Sequence, residues 1–180
     1  GSNELKIFLN TSALTKLNYL SLFDNMVTFV PASHIAPSLK MFYINNNLIT
    51  CLPSAVYNVM SSPSQVFIGD ESEPRMIEFP CNFTSVSNKF ELEVYGYQKD
   101  SIEPCDPFFI YSNLKRLKVS DGNLALFPSL KFAENLIELD LEDNNINVLP
   151  NVTHIPMDNK LKIIDVSHNN IETVPTHFFL

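Results

Sequence analysis

Tryptophan is absent from this 180-residue chain, glycine occurs four times and cysteine three times. So few glycines leave no phosphate-cradling loop, and no Gly-x-Ser-x-Gly nucleophile elbow, Cys-x-x-Cys or His-Glu-x-x-His is present. His34, His154, His168 and His177 stand singly. No catalytic constellation rises above background, and neither a cofactor nor a metal site is expected. Three cysteines are too few for a disulfide framework. Cations are also scarce: 12 Lys and Arg face 20 Asp and Glu, a formal charge of −8 that repels phosphate backbones and anionic bilayers. Nucleic acid is therefore not an expected partner. No apolar run approaches the roughly 20 residues of a spanning helix, so no membrane contact is expected of this segment. No Pro/Gly/Ser-rich linker divides the chain either. Gly1 and Ser2 read as an expression scar, and residues 3–180 as a single domain.

What is present is a repeat. The stretch LIELDLEDNNINVLP, residues 136–150, carries Leu136, Leu139, Leu141, Ile146 and Leu149 with Asn144 and Pro150 behind them. The alternation Leu139, Asp140, Leu141 predicts a short strand with leucines on one face and the aspartate on the other. Alone it is half of a core with nothing to bury against, so copies must stack on it. The closing proline recurs at Pro31, Pro53, Pro80, Pro104, Pro128, Pro150 and Pro175, spaced by 22, 27, 24, 24, 22 and 25 residues. The apolar pair recurs in step at Leu20/Leu22, Phe42/Ile44, Val66/Ile68, Leu92/Val94, Leu117/Val119, Leu139/Leu141 and Ile164/Val166. Stacked copies of this kind predict seven coils.

A turn asparagine stands at Asn25, Asn47, Asn144 and Asn169, where its amide can satisfy backbone groups buried between coils. Gly122 takes its place in the fifth copy, and in the third and fourth, which carry extra residues before their prolines, it is missing. Beyond each proline an apolar residue (Ile35, Tyr57, Phe83, Phe108, Phe132, Ile155, Phe178) is expected to close the far side of the core, with short helical turns at places such as 54–60.

With LNYLSLFDNMVTFVP (17–31), LKMFYINNNLITCLP (39–53) and LKIIDVSHNNIETVP (161–175) in view, the chain resembles the leucine-rich repeat family, in its longer-coil class ending in Leu-Pro. The resemblance implies an α/β solenoid: a horseshoe of about seven stacked coils, a parallel sheet on the concave face, and irregular or short helical turns on the convex one. It also implies a recognition module rather than an enzyme. Neither end looks like a polar cap, so the chain is expected to be a piece of a longer protein.

In such a solenoid the outward strand positions line one continuous surface. Its first half is aromatic and apolar (Tyr19, Phe23, Met41, Tyr43, Phe67, Tyr95); its later half is acidic (Glu138, Asp140, Glu142, Asp165) behind a basic band at Arg116 and Lys118. Simple solvation of exposed strand positions explains the charges but not the aromatics, which mark a protein or peptide contact. The acidic half would steer a basic partner.

Cys81 and Cys105 each follow a closing proline, 24 residues apart. Equivalent positions in adjacent coils lie about 5 Å apart, which suits a disulfide; the alternative is two buried thiols, and the compartment decides between them. Sequons at Asn10, Asn82 and Asn151 number no more than this composition would supply by chance, but none lies on an expected strand. The expectation is a secreted or cell-surface receptor or adhesion fragment. The alternatives are a cytoplasmic scaffold and a repeat region attached to an enzyme such as a kinase.

Overall fold

The computed structural model describes residues 3–60, 63–70, 76, 90–99, 101–102, 114–130, 133–150, 160–176 and 178. Each alternating pair becomes a strand: β1 Tyr19–Ser21, β2 Met41–Tyr43, β3 Gln65–Gly69, β4 Phe90–Tyr95, β5 Leu114–Ser120, β6 Glu138–Asp140 and β7 Ile163–Asp165. They form one seven-stranded sheet in sequence order, with every neighbour parallel. Parallel neighbours need a crossover after every strand, and crossovers that always step to the next position wind the chain into a solenoid.

The register follows the apolar pairs. Leu20, Phe42, Val66, Leu92, Leu117, Leu139 and Ile164 stand opposite one another from strand to strand. The third and fourth copies keep step, Val66 beside Leu92 and Ile68 beside Val94, because their extra residues fall after the strands. The one slip lies between Phe90 and Glu91, where β5 carries an additional residue.

Away from the sheet's edges the inward side chains lose all contact with water: Val66, Ile68, Leu92, Val94, Leu117, Val119, Leu139 and Leu141 are each 0% exposed. Each such burial contributes about 1.5–3 kcal/mol before chain entropy is counted. Leu136 and Ile146 close the same core from the ends of their coil.

The turn asparagines connect one coil to the next. Asn47 Oδ1 accepts the Val27 N–H at 2.9 Å, while its Nδ2 donates to the Leu22, Ile44 and Asn45 carbonyls at 2.9, 3.1 and 3.2 Å. Asn144 repeats this with the Leu124 N–H and the Val119, Leu141 and Glu142 carbonyls. Asn25 and Asn169 do likewise, Asn25 taking the Leu5 N–H in the place Val27 fills one coil on. Just before the asparagine the chain turns through the left-handed region, at Asp24, Asn46, Asp121, Asp143 and His168 with φ between 51° and 59°. Short polar side chains tolerate that conformation best.

Two glycines show why the pattern breaks in the middle. Gly69 has φ +94°, and a Cβ there would lie 1.9 Å from the Tyr95 carbonyl oxygen. At Gly122 a Cβ would meet the Tyr97 oxygen at 2.6 Å and Asn144 Oδ1 at 3.0 Å, so the backbone of the preceding coil occupies the space a turn asparagine would need.

The return side holds little helix: among the described residues, a 3-10 turn at Ala32–His34 and one α-helix, α1, at Ser54–Val59. Ile35 and Phe178 are buried as expected, at 1% and 4% exposure. The side chain of Tyr57, and Phe83, Phe108, Phe132 and Ile155, lie outside the described residues, as do Cys81, Cys105, Asn82 and Asn151. Asn10 is exposed, and its Oδ1 accepts the Ser12 N–H at 3.1 Å and the Ser12 hydroxyl at 2.7 Å.

Candidate functional site

Pleating sends the residues between the buried ones to the open face of the sheet, where parallel pairing lines them up in two rows. The first runs Tyr19, Met41, Gln65, Glu91, Arg116, Glu138, Ile163; the second runs Ser21, Tyr43, Phe67, Glu93, Lys118, Asp140, Asp165.

Over β1–β3 the rows form an aromatic ladder. Tyr19 meets Tyr43 edge-on with centroids 5.3 Å apart, and Tyr43 stacks on Phe67 at 4.4 Å with the rings 6° from parallel. Tyr19 keeps 50% of its surface exposed, and Met41, Tyr43 and Phe67 are half-buried. The ladder runs into a polar chain: the Tyr43 hydroxyl donates to Gln65 Oε1 at 2.6 Å, and Gln65 Nε2 donates to Glu91 Oε2 at 2.7 Å. The Tyr43 phenol is pushed above its ordinary pKa by burial first, then by Tyr19, Glu91 and Glu93.

Over β4–β6 the rows form an ion-pair cluster. Arg116 donates from Nε to Glu138 at 2.9 Å and from Nη1 to Glu93. Lys118 pairs with Asp140 at 3.2 Å and with Glu142, its ammonium 5.7 Å from the centroid of the Tyr95 ring. The Tyr95 hydroxyl donates to Glu93. Burial works against the Lys118 charge, but hydrogen bonds and charge from Glu142 and Asp140 outweigh it, and the ammonium titrates above its ordinary range. Asp165 is held below the carboxylate range by hydrogen bonds from the Ser167 hydroxyl and N–H at 2.6 and 2.9 Å.

This geometry corrects the expectation of an open surface at two residues. Tyr95 and Asp140 are only 9% and 8% exposed. Tyr95 lies under Lys118 and against Glu93, which is itself 5% exposed, and Asp140 is held by Lys118. Nor is the later half a bare acidic field, since its two cations are bound to Glu93, Glu138, Asp140 and Glu142. Asp140, Glu142 and Asp165 each offer an oxygen within 4.8 Å of the others, but the Lys118 ammonium already pairs with two of them. Phe23, 50% exposed, stands apart from the ladder beyond the end of β1, lining an open cleft of about 400 Å³ with Leu5, Leu9 and Leu22.

Selecting aromatic residues and charged bands strand by strand passed over Gln65, Glu91 and Glu93. Their contribution lies in cross-strand pairing, and the signal that finds them is the row order itself.

Compared with known proteins, the Leucine Rich Repeat family matches residues 160–179, which include LKIIDVSHNNIETVP (161–175), the last repeat read from the sequence. Among solved structures, the functional domain of InlJ from Listeria monocytogenes, described as including a cysteine ladder, is similar at a TM-score of 0.46 and 16% identity. The match covers 90% of this chain and 37% of that one.

Proposed function

We propose that this leucine-rich repeat chain is a non-catalytic recognition module that holds a protein or peptide on the concave face of its sheet, as the ligand-binding part of a secreted or cell-surface receptor or adhesion protein. The observation that carries this reading is the open-face ladder Tyr19, Tyr43 and Phe67 on three adjacent strands, continuous with carboxylates on the next. Edge-on and stacked rings present a large rigid apolar area at little entropic cost, and such surfaces mark partner sites. Each strand belongs to one coil of a seven-coil horseshoe, and the return segments lie on its convex side.

Placement outside the cell is supported by the paired positions of Cys81 and Cys105 and by sequons away from the strands. Non-reducing mass spectrometry of secreted material is expected to show the two cysteines bridged and a glycan on Asn82; two free thiols would overturn the bridge. For the binding face, the Tyr19→Ala/Tyr43→Ala double variant should keep the far-UV spectrum of the parent and lose at least about tenfold in partner affinity, the loss of two interface aromatics. A folded variant that binds unchanged would overturn the assignment.

A further inference from the structure

The charges on the open face are not equally available. Arg116 is committed to Glu93 and Glu138, and Lys118 to Asp140 and Glu142. Glu91 sits beside Arg116 in the register and is half-buried, yet among the described residues no cation pairs with it. Its Oε2 takes the Gln65 amide, and among the described residues no donor meets its Oε1. We infer that Glu91, opposite Gln65 in the row beside the Tyr43–Phe67 ring stack, is the anchor for an arginine or lysine side chain of a peptide or protein segment laid along the sheet. This rests on reading the face as the recognition surface, and it names the chemistry of the partner.

Three features support it. The chain of hydrogen bonds from Tyr43 through Gln65 to Glu91 holds the carboxylate in place, so little ordering remains for a ligand to impose. The neighbouring ring faces suit a guanidinium or the methylene stem of a lysine, with the charged end on the carboxylate. The formal charge of −8 draws cationic segments towards the chain. Asp140 and Glu142 already share the Lys118 ammonium, whereas no described cation pairs with Glu91, so the anchor lies beside the aromatics and not in the acidic coil.

The test uses immobilised 12-residue peptides with fixed apolar flanks and arginine, lysine, citrulline or leucine at the centre. The parent chain should retain arginine and lysine peptides over the citrulline and leucine ones. Glu91→Gln should lose that preference by about tenfold, the worth of a hydrogen bond to a charged group. Glu134→Gln, which removes the same charge from an exposed site off the strands, should keep it. If Glu91→Gln keeps the arginine-over-citrulline preference, or if the parent binds all four peptides alike, the anchor is wrong while recognition on this face stands. If the parent binds none above the level of the Tyr19→Ala/Tyr43→Ala variant, the reading of the face falls with it.

Discussion

Asn47 is 2% exposed and spends both ends of its amide on backbone groups of two coils. An alanine there strips the buried Val27 N–H of its acceptor, while the Leu22 carbonyl keeps the Asn25 amide. Asn47→Ala should therefore cost about 1–3 kcal/mol in urea unfolding. Asn25→Ala should cost less, since one of its bonds is exposed to water. Equal losses at the two sites would show that burial does not set the cost. The turn asparagines were readable from spacing alone because only an amide offers donor and acceptor together at that reach. The left-handed residue before each was not singled out: Asp24, Asn46, Gly96, Asp121, Asp143 and His168 share a position and a backbone conformation but little side-chain chemistry. His168 shows the consequence. It is an exposed turn residue 3.0 Å from Asp143, a surface pair of little energetic weight.

On the scale of elements, β4, β5 and β6 are joined by open-face charges as well as by their ladders. Lys118 lies at the centre of this cluster, and its raised pKa ties the cluster to pH. A cation whose folded pKa exceeds its unfolded value contributes its full stabilisation below the ordinary lysine pKa of about 10.4 and loses it as pH rises through the folded value. The melting-temperature difference between the parent and Lys118→Met should thus shrink between pH 8 and pH 11.5, because the methionine has no charge to lose. A difference that stays constant across that range would show the pairs to be energetically idle. The sequence revealed a basic band between acidic coils, but the partners of each charge depend on the cross-strand register and on the slip between Phe90 and Glu91.

Across the whole molecule, stability is shared between neighbouring coils, as in any repeat array. The strands are longest in the middle, six residues in β4 and seven in β5, and shortest at the sheet's edges, three each in β1 and β7. Burial follows the same gradient: Leu92 and Leu117 are 0% exposed, while Leu20 and Val166 are only partly buried. Hydrogen exchange should therefore be slowest for the amides of β4 and β5 and faster by orders of magnitude in β1 and β7. Uniform protection along the sheet would mean that the array opens only as one unit.

Repetition in the sequence was enough to determine the sheet and its strand order, while the register of the third and fourth copies and the slip between Phe90 and Glu91 came only with the structure. A period-2 apolar pair returning every two dozen residues can bury itself in only one way, against its own copies. Hence even the third and fourth copies, which lack the asparagine, keep step. Only the tertiary structure decided which face residues remain open to a partner. Tyr95 and Asp140 share the outward pattern of Tyr19 and Tyr43, yet they are covered because Lys118 reaches them from an adjacent strand. Among the described residues no cation meets Glu91, because its neighbouring arginine is already held by Glu93 and Glu138. Alternation along one strand sets where a side chain points; what meets it there depends on chains folded beside it.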